Sequence, residues 1–216
     1  MPSPSRIQSH VRYPLTKLLG SSSNVRLLRT MTWDSLPQSV SHLARQTGLS
    51  PQGVRLVLNE LTQLQLVKVQ GSGRALLYEL NKSHAFAEAL IALFRKEFDR
   101  WEGLMTSIRE VLSRHGAAVQ AAWLYGSVAR GEDTPSSDLD MALLVANHAV
   151  ADRVREDLMP LEDQQQLSIS LTALTKEELA ALPEDDRWWS GVVRDARILK
   201  GASPQFAKRH ALTAAP

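Results

Sequence analysis

The chain has 216 residues, 44 % of them hydrophobic, and no cysteine; this suits one large or two small soluble domains and excludes a disulfide framework and a thiolate zinc site. No stretch approaches the roughly 20 apolar residues that span a bilayer, and the opening MPSPSRIQSHVR lacks the apolar core of a signal peptide, so a cytoplasmic protein without a membrane partner is expected. The net charge of +2 conceals an asymmetry: up to Lys82 there are ten Lys or Arg against three Asp or Glu, and beyond it fifteen against twenty. A basic first part suits a polyanion partner; an acidic second part suits metal-binding or acid–base carboxylates.

Residues 24–31 (NVRLLRTM) have helical spacing, with Val25, Leu27 and Leu28 available for burial. After a turn at Pro37, Ser39 or Ser41 can cap a short helix through Leu43 and Ala44 that stops at Gly48. Ser50 followed by Pro51 is a cap with proline at the first helical position, and opens another helix. On it Val54, Val57, Leu58, Leu61 and Leu64 share one face, while Gln52, Arg55, Asn59 and Gln63 share the other. Leu66 to Val69 and Ala75 to Leu80 read as two short strands joined by the glycine-rich, basic turn Gly71 to Arg74.

A helical pattern follows from Ser83 to about His115, with Phe86, Leu90, Leu93, Phe94 and Trp101 expected in the core. Beyond Gly116 the period changes. AVQAAWLYGS reads as a buried strand ending in a glycine turn, LDMALLVA as a second strand, residues 153–161 as a helix, and residues 167–174 as an alternating strand. Thr175 then starts a helix with acidic residues in its first turn, and VVRDARIL after Trp188 and Trp189 is again helical in pattern, the tryptophans serving as packing anchors. Residues 1–12 and 203–216 are expected to be loosely ordered.

The densest chemistry lies in GSVARGEDTPSSDLD, Gly126 to Asp140. A strand that turns through Gly126 and Ser127 into a helix presents backbone N–H groups and a hydroxyl to a polyphosphate. Asp138 and Asp140, two apart at the start of a strand, project from one face. Their mutual repulsion is relieved by a hard cation such as magnesium, which takes oxygen ligands and is completed by substrate phosphates. Arg130 either reaches phosphate or pairs with Glu132 or Asp133.

Taken together, LYGSVARGEDTPSSDLDMALLV resembles the signature of the minimal nucleotidyltransferases, small relatives of the DNA polymerase beta superfamily, with the pattern GSxARG, five residues, SDxD. Gly126, Ser127, Ala129, Arg130, Gly131, Ser137, Asp138 and Asp140 match it. The resemblance implies a small mixed sheet flanked by helices. It also implies transfer of a nucleoside monophosphate from a nucleoside triphosphate, ATP by preference, to a hydroxyl on a protein or small molecule. Gly126, Ser127, Arg130 and Ser137 would bind nucleotide and phosphate; Asp138 and Asp140 would be catalytic and hold Mg2+. A third carboxylate completes the site in that family, and the corresponding position here is Ser170, which can be neither an anionic ligand nor a general base at neutral pH. Glu162 and Asp163 are the nearby acids that could substitute. An alternative is therefore a transcriptional regulator, or an antitoxin-like partner of a separate helical toxin, that binds nucleotide with little or no turnover.

The preceding segment, LARQTGLSPQGVRLVLNELTQLQLVKV with the ending LLYELN, resembles winged helix-turn-helix regulators fused to such domains. That resemblance implies double-stranded DNA as partner, read by Gln52, Arg55 and Asn59 with Arg74 on the wing, and a homodimer. The expected fold class is α+β: a winged helix-turn-helix over residues 13–82, a helical linker over 83–115 and a nucleotidyltransferase domain over 116–202.

Overall fold

A computed structural model describes residues 12–34, 36–73 and 75–213. The chain divides into two compact units, Met1–Asp99 and Arg100–Pro216. Among the described residues no helix is long and apolar enough to cross a membrane.

The first unit is built of short helices and a hairpin: α1 (Leu15–Leu18), α2 (Ser22–Trp33), α3 (Val40–Thr47), α4 (Pro51–Gln63), β1 (Val67–Gln70), β2 (Leu77–Leu80) and the first part of α5 (Ala87–Arg114). Helix starts follow capping chemistry. Ser21, Ser39 and Ser50 each accept the N–H three residues on, from Asn24, His42 and Gly53 respectively, satisfying a donor the helix leaves free. Helix α3 stops at Gly48, whose φ of +66° suits a residue without a Cβ. Helix α4 buries Val54, Val57, Leu58 and Leu61 beside Leu27, Leu28 and Leu43, all in one core. Inside it Asn24 is buried but satisfied, its Nδ2 donating to the Lys17 carbonyl at 2.8 Å. Strands β1 and β2 pair antiparallel from Val67 against Leu80 to Gln70 against Leu77. Arg74 and residues 1–11 lie outside the described residues, so the wing contact expected of Arg74 and the loose order expected at the start of the chain do too.

Helix α5 is a single helix that contains the dividing point. Ala87, Leu90 and Phe94 belong to the first core, and Leu104, Met105, Ile108, Val111 and Leu112 to the second. Leu93 was expected in the core but is 52 % exposed. It sits about 100° round the helix from Phe94 and falls off the stripe.

The second unit continues with β3 (Val119–Tyr125), α6 (Gly126–Arg130), β4 (Leu139–Val145), α7 (His148–Gln165), β5 (Ile169–Leu174), α8 (Lys176–Ala181), α9 (Arg187–Asp195), β6 (Arg197–Lys200) and α10 (Pro204–Thr213). The sheet order is β5-β4-β3-β6; β4 and β5 run parallel, while β3 is antiparallel to both β4 and β6. Period-two alternation sorts β4. Leu139, Met141, Leu143 and Val145 face one core with α5 and α7; Ala142 and Leu144 face another with Leu179, Trp189 and Val192 from α8 and α9. Asp140 belongs by alternation to the latter face.

Two expectations fail at the end of this unit. VVRDARIL is not one helix: α9 begins at Arg187, includes both tryptophans and ends at Asp195, after which Arg197–Lys200 forms an edge strand on β3. The β-branched and apolar residues of ARIL gain a ladder and a core contact through Leu199, which overrides their local helical spacing. Residues 204–213 are helical rather than loose, because Ala207 and Ala211, one turn apart, are buried against the α8–α9 side of the sheet.

Candidate active site

Strand β3 delivers Tyr125 directly opposite Asp140 on the antiparallel β4, and the next residue, Gly126, turns the chain into α6. Gly126 has φ +78°, a conformation natural to glycine. A Cβ there would stand 2.3 Å from Oδ2 of Asp140, so the absent side chain is what admits the carboxylate to the glycine-serine turn. The sequence-predicted phosphate loop and one of the predicted metal ligands are thus in contact. Asp138, one residue before β4, is exposed; Asp140 is half-buried. Burial, then the charge of Asp138, raise the Asp140 pKa, and Arg130 opposes them. Two hard-oxygen donors two residues apart, together with a cradle at Gly126, are donors of the kind a divalent cation takes.

On the neighbouring strand, Ser170 is the parallel-register partner of Asp140 and is exposed. The alternation Leu167, Ile169, Leu171 against Ser168, Ser170, Thr172 predicts the face, and the family resemblance the position, at which Ser170 meets Asp140. Among the described residues no group of three or more His, Cys, Asp or Glu side chains is placed to hold a metal ion. Glu162 accepts the Ile169 N–H at 2.6 Å and so fastens the start of β5. With Asp138, Asp163, Ser136 and Ser168 it lines a polar cleft of about 570 Å3 that excludes Asp140 and Gly126.

The remaining predicted residues divide. Ser127 is half-buried at the start of α6. Ser137 turns its hydroxyl into its own loop, accepting the Thr134 N–H at 2.9 Å and meeting the Thr134 hydroxyl at 3.1 Å; it shapes the approach to Asp138. Arg130 donates from Nε to Glu132 at 2.7 Å and from Nη1 to Asp195 at 2.5 Å. The first partner is one of the two expected, and the second, 65 residues on, is new. In the first unit Gln52, Arg55 and Asn59 are all exposed on α4, with Leu56 among them at 65 % exposure.

Two site-flanking groups are not among the residues expected from the sequence. Asp195 is one, and the α9 C-terminus held the signal: an acid is disfavoured at a helix's carbonyl end unless a cation compensates it. Arg197 is another, its Nε donating to the Ala129 carbonyl at 2.8 Å and so capping α6. Trp188 donates its indole N–H to the Tyr125 hydroxyl at 3.0 Å, with the rings edge to face, which ties α9 to the residue before the loop.

The second unit thus combines a mixed four-stranded sheet, helices on both faces, a glycine-serine turn after one strand and two aspartates at the start of the next. Residues 106–182 match the family model described as Polymerase beta, Nucleotidyltransferase. Similar solved structures include a toxin-antitoxin with AMP-PNP (19 % identity, 50 % of this chain and 84 % of that one, TM-score 0.38). Also similar are the toxin-antitoxin MntA-HepT (17 %, 52 % and 84 %, TM-score 0.34) and the AntR antimony-specific transcriptional repressor (20 %, 48 % and 97 %, TM-score 0.37). No curated protein matches the chain.

Proposed function

We propose that the second unit transfers a nucleoside monophosphate from a nucleoside triphosphate, ATP by preference, to a hydroxyl acceptor, and that the first is a winged helix-turn-helix that binds double-stranded DNA as a homodimer. The observation that carries the enzymatic reading is the seating of the Asp140 carboxylate against the Gly126 backbone. In this reading it would bring a phosphate-binding turn and a cation ligand to one point.

In this reading the backbone N–H groups and the Ser127 hydroxyl hold phosphate oxygens, and Arg130 answers the negative charge that builds on the departing pyrophosphate. Asp138 and Asp140 would hold magnesium, which supplies charge neutralisation at the phosphate oxygens when bound. The acceptor oxygen forms a bond to the α-phosphorus as the bond to pyrophosphate breaks, and the acceptor proton leaves to solvent or to a nearby carboxylate. Ser170 cannot take that proton. In the first unit, the exposed row Gln52, Arg55 and Asn59 on α4 supports placement in a major groove; Arg74, which lies outside the described residues, would touch backbone or minor groove.

A second reading is favoured by one observation: Ser170 lies directly beside Asp140, where an acid would complete the ligand set. Under it the unit binds nucleotide with little turnover, and the protein acts as a regulator or as an antitoxin-like partner of a helical toxin. Labelled ATP and magnesium, offered with candidate hydroxyl acceptors, separate the two. The enzymatic reading expects transfer that disappears in Asp138→Ala and rises by at least tenfold in Ser170→Asp, the order that general acid–base and metal contributions reach. Binding without transfer in both the wild type and Ser170→Asp would sink it and favour the regulator.

A further inference from the structure

Helix α6 has five residues, too few to fix the side chain at its own end. Yet that last residue is Arg130, whose charge is felt by Asp140. The guanidinium is held from outside the helix. Asp195 takes Nη1 and Glu132 takes Nε, while Arg197 fastens the Ala129 carbonyl one residue back. Nη2 has no hydrogen-bond partner among the described residues, and the side chain is 36 % exposed, so one edge of the fork is left open.

The two carboxylates that brace it differ. Glu132 is 65 % exposed, and an exposed pair of this kind constrains little. Asp195 is only 4 % exposed, and its Oδ2 is shared between Arg130 at 2.5 Å and Nη2 of Arg194 at 3.1 Å, with Nε of Arg194 on Oδ1 at 2.7 Å. The hydrogen bond from Arg194, then that from Arg130, hold this carboxyl down to about 2 against the opposing effect of burial. Arg194, 70 % exposed, keeps Asp195 compensated if Arg130 shifts toward another anion. A buried charge at a disfavoured helix end, with a second arginine in reserve, is more than α6 needs for attachment.

We propose that Asp195 is a positioning residue: it orders Arg130 in advance, so that the open edge of the guanidinium meets the phosphate tail of a triphosphate held at Gly126 and Ser127. This rests on the nucleotidyltransferase reading above. Ordering a long side chain before the ligand arrives removes that entropy loss from binding, and a planar fork with two donors already engaged presents the rest in a fixed direction.

Calorimetric titration of ATP with magnesium into the full chain, for wild type, R130A, D195N and the double variant, tests this. If Asp195 acts through Arg130, D195N weakens ATP by about tenfold, R130A by at least as much, and the double variant by no more than R130A alone. E132Q leaves affinity within about twofold. Losses that multiply in the double variant, or wild-type affinity in D195N, overturn the proposal; a melting-temperature drop in D195N without the binding change marks Asp195 as a structural tie. Should D195N not fold, D195E replaces it. The longer side chain displaces the guanidinium, so a loss of at least about threefold is expected and full affinity overturns the role. A wild type that binds no triphosphate overturns the nucleotidyltransferase reading along with this one, whereas binding indifferent to Asp195 removes only the role given to Asp195.

Discussion

In the first unit the polar residues of α4 stand clear of their core: Gln52, Arg55 and Asn59 are exposed and make no side-chain hydrogen bond among the described residues, and only the helix beneath fixes their spacing. In the second unit the polar residues that matter are braced from several elements at once. Asp140 is pressed against Gly126, Arg130 is held between Glu132 and Asp195, and α6 is capped by Arg197. The contrast fits the two kinds of ligand proposed for the two units. A long polyanion supplies its own regular lattice of phosphates, and flexible side chains can settle onto it. A single triphosphate at a reacting centre requires its partners already in place, because misplacement by even an ångström is expensive there.

Substitution at Gly126 strikes the braced site hardest. In Gly126→Ala the new Cβ would meet the Asp140 carboxylate at 2.3 Å, and the residue would be kept at φ +78°. Alanine in that backbone region costs roughly 1–2 kcal/mol before any collision, and relief of the collision must move Asp140. ATP affinity, read by calorimetry, is expected to fall by at least about thirtyfold, or about 2 kcal/mol, while DNA retention in a mobility shift stays at the wild-type level. Unchanged ATP affinity would mean that the contact between Gly126 and Asp140 is incidental to binding.

A milder outcome is expected on α4. Arg55→Ala removes one unbraced cation, which should weaken DNA binding by about 1–3 kcal/mol if it reads a base, or lower the salt dependence by about one phosphate contact if it does not. Titrations at three salt concentrations distinguish the two, and nucleotide binding should not move. If DNA affinity is unaffected at every salt concentration, α4 is a solvated face and the DNA-binding reading fails.

How much of this was legible in the sequence follows the same division. The amphipathic face of α4, the serine cap at Ser50 and the turn at Gly126 are local, set by neighbours within one turn or one strand, so spacing alone exposes them, whereas the cap of α3 stayed open between Ser39 and Ser41 until the fold chose Ser39. Ser170 was reached by two steps: alternation put Ser168, Ser170 and Thr172 on one face, and the family resemblance picked Ser170 among them, which the register pairs with Asp140. Of the partners of Arg130, Glu132 was among those expected, but Asp195 was not, nor was Arg197 as the partner of Ala129: they lie 65 and 68 residues away, and folding alone brings them there. The strand at Arg197–Lys200 was hidden for a related reason, since four residues at an edge take their state from β3 and not from their own spacing.

The smallest expected effect concerns the bracing acid itself. With a folded pKa of about 2 against an ordinary 3.8, Asp195 is more readily ionised in the folded state than in the unfolded chain. Its contribution to stability is therefore present above the unfolded value and is lost as the pH falls through about 2. Arg194 and Arg130, the charges that face it, stay protonated throughout, and Glu132 reaches it only through Arg130. Because both guanidiniums are partly solvated, screening should keep the contribution under about 1 kcal/mol. Urea unfolding of wild type and D195N is expected to give a constant stability difference from pH 8 to pH 5 that narrows from about pH 4 downward. A difference that instead grows toward acid would mean that the carboxyl is protonated in the fold, and a neutral Asp195 could not hold Arg130 in place by charge.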